Sequence, residues 1–134
     1  MAAYSGWLAA ALVPLAALIP LIVRLQRGKR AAPGEPPMRI HVAIGLVVAG
    51  TSFVHTLLAV LALGSPQAIA AGELAMGMGA LAFVILLSHT GLGLQLRQQK
   101  LRRRSNKRRQ HVITATLITL AIGLHAGLLL TAGP

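Results

Sequence analysis

Four apolar stretches, at about 5–25, 40–63, 72–95 and 111–131, divide the chain, and each runs for roughly twenty residues or more. At about 1.5 Å of rise per residue, each is long enough to cross a hydrocarbon layer roughly 30 Å thick. They are apolar all round, and such helices must be buried in protein or in lipid. The pattern predicts an all-α protein, a transmembrane up-down four-helix bundle forming a single domain over residues 1–134. The first stretch has no charged residue before Arg24, so it lacks the basic leading region of a signal peptide and is read as a helix. Pro14 and Pro20 lie inside it, which a membrane helix tolerates where neighbouring groups satisfy the freed carbonyls.

Composition agrees with that division. The 134 residues are 55% hydrophobic and 11% charged, with mean hydropathy +0.71. There is no cysteine, so disulfides, thiolate metal sites and covalently attached haem are excluded for this chain. A net charge of +11 invites a nucleic-acid reading until the charges are placed. Arg24, Arg27, Lys29, Arg30 and Arg39 fall between the first two apolar stretches, and the other eight basic residues fall between Arg97 and Arg109. An up-down bundle puts both clusters on one side, where positive loops stay cytoplasmic. Both termini then face the opposite side, with Tyr4 and Trp7 at that interface. The expected location is a bacterial inner (cytoplasmic) membrane with periplasmic termini. The run "RRRSNKRR" is accounted for by topology and by attraction to anionic headgroups, with no nucleic-acid partner.

The connections differ in character. "QRGKRAAPGEPPM" is rich in proline and glycine and predicts an irregular loop. "GSPQAIAAG" is a short link that makes the second and third helices an antiparallel hairpin. The basic run after residue 96 is expected to prolong the third helix before a turn at Ser105 and Asn106. "RIHV" at 39–42 and "RQHV" at 109–112 hint at an internal repeat.

Four of the five histidines share one frame. "HVAIGLVVAGTSFVH" runs from His41 to His55, and "HVITATLITLAIGLH" runs from His111 to His125. A separation of fourteen residues falls about 40° short of four helical turns and rises about 21 Å. Each pair therefore shares a helix face, near opposite membrane surfaces. The two helices run parallel, diagonal across the bundle, so His41 is level with His111 and His55 with His125. Two facing imidazoles suit the axial positions of a haem iron, whereas zinc or copper usually takes three or four protein ligands at one level. The competing reading is four polar residues hydrogen-bonded between helices. Gly45, Gly50, Gly123 and Gly127, with Gly72, Gly77 and Gly79 on the third helix, are candidates for close approach to a macrocycle or for ordinary helix packing.

On those two histidine segments the chain resembles the dihaem core of cytochrome b from quinol–cytochrome c oxidoreductases, and secondly the ferric-reductase-type membrane cytochromes. It carries no Pro-Glu-Trp quinol motif. The resemblance implies two haem b groups, the cytoplasmic-side one ligated by His41 and His111 and the outer-side one by His55 and His125. It also makes quinone a candidate further cofactor.

The remaining polar groups are few. Arg39 and Arg109 each precede a proposed inner ligand by two residues and are candidate propionate partners. His89 is a candidate for tuning or replacing a ligand of the inner haem, or for contacting a quinone headgroup. Glu73, at the start of the third helix, is placed for a helix dipole or for taking a proton from quinol; Glu35 is expected to be solvated. The functional expectation is an electron-transfer subunit of a larger oxidoreductase complex, carrying electrons between a quinone pool and a partner redox protein, such as a multihaem cytochrome c, at the outer face. Its surroundings are membrane lipid. The alternative is a haem-free proton- or metal-relay subunit of a transporter or channel, which requires a polar pathway.

Overall fold

In the computed structural model, which describes residues 2–98 and 100–131, the chain forms four helices. They are α1 (Ala2–Arg27), α2 (Pro36–Leu61), α3 (Pro66–Leu96) and α4 (Arg104–Thr131). All four are long and apolar enough to cross a membrane. Large side chains such as Leu21, Val47, Val84 and Leu120 point outward and are exposed, and no polar side chain among the described residues is buried. In water such a surface would be costly; in hydrocarbon it is the solvated face. The chain is an integral membrane protein.

Local signals account for the helix ends. Gly28 stops α1 in the left-handed region (φ +64), where a side chain would be strained. Both α2 and α3 begin with proline in the first turn, where the missing N–H is no loss. Ser65 caps α3 by accepting from the Ala68 N–H at 3.3 Å. The outer link is thus not a bare connection: Pro66 begins a short helical segment that breaks at Gly72 (φ 77, ψ 165) and resumes at Glu73. At the other end, α3 stops at Leu96 and α4 begins at Arg104. Ser105 and Asn106 lie in the first turn of α4, so the basic run prolongs α4 and not α3. Arg104 anchors that turn by donating to the Leu96 carbonyl.

The loop over 28–35 is also tied down. Glu35 accepts from the Ala32 N–H at 2.7 Å and from the Arg27 guanidinium, so it is an ion-paired clasp. The Ala32 hydrogen bond, and then Arg27, hold its carboxyl below the ordinary carboxylate value. A depressed pKa contributes stability at neutral pH that is lost as pH falls through that lowered value. Limited proteolysis after Arg27 or Lys29 is therefore expected to quicken at acid pH in the wild type. In Glu35→Gln it should be fast at every pH.

The bundle is built from two tight hairpins, α1 along α2 and α3 along α4, with a lighter α2–α3 seam and a slight one between α1 and α4. Val48, Leu86 and Ile118 form the buried centre, with Val13, Leu12 and Ile122 packed against it. Two of those centre residues sit midway in sequence between paired histidines: Val48 between His41 and His55, and Ile118 between His111 and His125. A seven-residue step returns nearly to the same helix face. The core is consequently a stack of three layers, apolar in the middle and carrying imidazoles above and below.

Candidate functional site: two levels of paired histidines

The diagonal helices α2 and α4 bring the four histidines together in two pairs. His41 and His111 have ring centres 6.2 Å apart, and His55 and His125 have theirs 6.3 Å apart. All four are half-buried. Two imidazoles bound through one nitrogen each to a single metal, at about 2.0–2.1 Å per bond, have ring centres about 6 Å apart. Both levels meet that separation.

Each histidine packs against the helix that is its hairpin partner. His41 Nδ1 donates to the Ala16 carbonyl at 2.8 Å, and His125 Nδ1 donates to the Ala75 carbonyl at 2.7 Å. A carbonyl can only accept, so these contacts fix the Nδ1–H tautomer and leave Nε2 with a free lone pair. That is the form a metal-binding imidazole takes when a second group orients it.

The acceptor for His41 has a specific origin. Pro20 has no N–H, so the carbonyl four residues earlier, that of Ala16, has no helical donor. His41 supplies the missing hydrogen bond. Pro20→Ala restores a competing N–H, and the imidazole loses its sole claim on the carbonyl. With a haem at the inner level, the expected result is a shifted midpoint potential for that haem alone, read by redox titration with the outer haem as internal control.

Glycine makes the other contacts. A Cβ on Gly6 would lie 2.8 Å from His55 Cε1, one on Gly79 would lie 2.9 Å from His125 Cε1, and one on Gly93 would lie 3.3 Å from His111 Cε1. Gly79 and Gly93 repeat on α3 the fourteen-residue spacing of the histidines, with buried Leu86 midway. On α1 the same spacing joins Gly6 to Pro20. Of the glycines singled out from sequence, only Gly79 has this role. Gly45, Gly50, Gly72, Gly77, Gly123 and Gly127 would place a Cβ in open space. The signal that identifies Gly6 and Gly93 was present as spacing: both sit on the helices that carry no paired histidine, in register with those that do.

The inner level holds a third imidazole. His89 stacks on His111 with ring centres 3.8 Å apart and planes 13° from parallel. Its Nδ1 donates to Thr114 Oγ1 at 2.8 Å, whose own proton goes to the carbonyls of Gln110 or His111. His111 Nδ1 is buried without a side-chain or backbone hydrogen bond of good geometry among the described residues. At the outer level each imidazole is thus seated against a glycine of its hairpin partner, Gly6 for His55 and Gly79 for His125. At the inner level His89 lies beside His111 on the α3 side, so a macrocycle there requires the His89 ring to turn aside.

The two arginines expected at the inner haem face elsewhere. Two residues correspond to about 200° around a helix, so Arg39 and Arg109 project away from the His41 and His111 faces, and both are exposed. The residues that share the His111 face are Lys107 and Arg108, which are half-buried, with Arg30 and Arg104 within electrostatic range of Arg108. Glu73 is exposed at the start of the main part of α3. The hydroxyls of Thr51, Thr56, Ser88, Thr90, Thr116 and Thr119 all donate to carbonyls of their own helices. They form no line of polar groups through the bundle.

Comparison with protein-family models, curated proteins and solved structures finds no match to this chain. The class of protein is defined by the fold and the site alone: a four-helix integral membrane protein with two levels of paired histidines on diagonal helices.

Proposed function

We propose that this protein is a dihaem b-type cytochrome, an electron-carrying membrane subunit. The observation that carries the reading is the matched pair of imidazole levels, each at the separation of two ligands to one metal. His41 and His111 would hold the inner haem, and His55 and His125 the outer one. Haem iron in such sites supplies one-electron redox chemistry at a potential tuned by its ligands and surroundings. The protein's own contribution is to orient the imidazoles through Ala16 and Ala75 and to exclude water. The layer of Val48, Leu86 and Ile118 separates the two levels with apolar side chains. Lys107 and Arg108, on the His111 face at the basic end, would pair with the inner propionates.

The two levels lie on opposite sides of the bundle's middle, so the natural task is to move electrons through the membrane. A quinone pool and a partner redox protein at the outer face are the proposed donor and acceptor classes. The clustering of all basic residues at one end supports a cytoplasmic location for that end, and hence periplasmic termini in a bacterial inner membrane. The haem-free relay predicts a polar pathway, and the back-bonded hydroxyls speak against one.

A reduced-minus-oxidised visible spectrum with pyridine haemochrome quantitation tests the reading. Two low-spin b haems per chain are expected; colourless protein, expressed with adequate haem supply, overturns it. His89→Ala is expected to retain both haems and to shift only the inner potential, since it removes a neighbour of His111 rather than a ligand. Loss of the inner haem in that variant would make His89 a ligand in place of His41 or His111.

A further inference from the structure

A groove of about 520 Å³ opens on the outer surface of the α2–α3 seam at the basic end, lined by Pro33, Gly34, Arg39, Val42, Ala43, Leu46 and Arg97. Topology explains its position. The short link over 62–65 joins α2 to α3 at the far end, and Phe53 packs on Phe83 in that half of the seam with ring centres 6.3 Å apart. Nothing joins the two helices at the basic end, where each turns back to its own hairpin partner. There they leave a gap facing the bilayer.

The lining has the pattern of an amphiphile. Arg39, Val42, Ala43 and Leu46 follow the i, i+3, i+4, i+7 spacing of one helix stripe, one cation followed by about two turns of apolar surface. Arg97, at the end of α3, brings a second guanidinium to the groove. Neither guanidinium has a hydrogen-bond or ion-pair partner among the described residues, and no acid lines the groove. Two uncompensated cations at the headgroup level above an apolar floor complement a phosphate ester carrying acyl chains. This also gives Arg39 a task consistent with its direction away from His41.

We propose that the groove is a binding site for an anionic phospholipid, its phosphate held between Arg39 and Arg97 and an acyl chain laid along Val42, Ala43 and Leu46. The inference does not depend on haem. It is tested by native mass spectrometry of the full-length protein in detergent, titrated with phosphatidylglycerol or with phosphatidylcholine. The wild type is expected to retain one phosphatidylglycerol with a roughly tenfold preference over phosphatidylcholine. Arg39→Gln/Arg97→Gln should lose that preference while its haem content stays that of the wild type. Ala43→Trp, which fills the floor and keeps both charges, should lose the bound lipid as well. Arg102→Gln/Arg103→Gln, which removes as much charge outside the groove, should keep it. Inorganic phosphate at millimolar concentration should not compete, since it lacks the acyl chain; competition would make the site one for free phosphate and overturn the lipid assignment. Equal loss of preference in both arginine double variants, or its persistence in Arg39→Gln/Arg97→Gln, would overturn the proposal by reducing the effect to bulk charge.

Discussion

On the proposed dihaem reading, His125→Leu is expected to leave one haem per chain instead of two. The variant removes an imidazole whose Nδ1 is tied to the Ala75 carbonyl and whose ring faces His55 across the bundle at 6.3 Å. No other histidine approaches the outer level: the fifth, His89, stacks on His111 at the inner one. A replacement ligand is therefore not at hand. Pyridine haemochrome should fall by about half, and the remaining spectrum should be that of the inner haem. Electron transfer through reconstituted vesicles should fall below detection, because a one-haem bundle lacks half of the path. His55→Leu should give the same spectrum, and His41→Leu its complement. Two haems in His125→Leu would mean that the levels are not ligand pairs.

Gly79→Leu should reproduce the loss of the outer haem without touching a ligand. A Cβ at this position lies 2.9 Å from His125 Cε1, closer than carbon atoms in contact tolerate. The ring cannot simply give way, since its hydrogen bond to Ala75 holds it from the same helix. Either the imidazole leaves its position or α3 and α4 move apart. Overpacking of this kind costs about 1–3 kcal/mol in folded-state stability, so a lower melting temperature should accompany the haem loss. Gly77→Leu is the control: it lies on the same helix two residues away, and its Cβ meets nothing within 4 Å. That variant should keep both haems. If both substitutions behave alike, the effect belongs to helix packing in general and not to the histidine contact.

The legibility of this protein in its sequence was uneven, for physical reasons. Helix ends were read only coarsely: Ser65 and Pro66 were placed in the outer link, yet they cap and begin α3, and the break at Gly72 and the start of α4 at Arg104 needed the neighbouring turns to be seen. The two histidine levels were legible because spacing along one helix converts directly into face and height. The partners of those histidines were not. Arg39 and Arg109 stood close to them in sequence, yet a two-residue step turns a side chain to the other side of the helix. Lys107 and Arg108, slightly further away, come round to the face of His111.

Apolar length, the fourteen-residue frame of the histidines and the placement of every basic residue at two connections were enough to determine four spans, their alternation and the height of each imidazole. These follow from helical rise and periodicity, which need no knowledge of neighbours. Which carbonyl orients His41, which glycines admit His55, His111 and His125, that His89 stacks on His111, and that a cationic groove opens on the α2–α3 seam were decided only by the tertiary structure. Each depends on how far the helices are rotated about their own axes and how closely they approach, and in a bundle of nearly uniform apolar helices that is set by packing between residues distant in sequence.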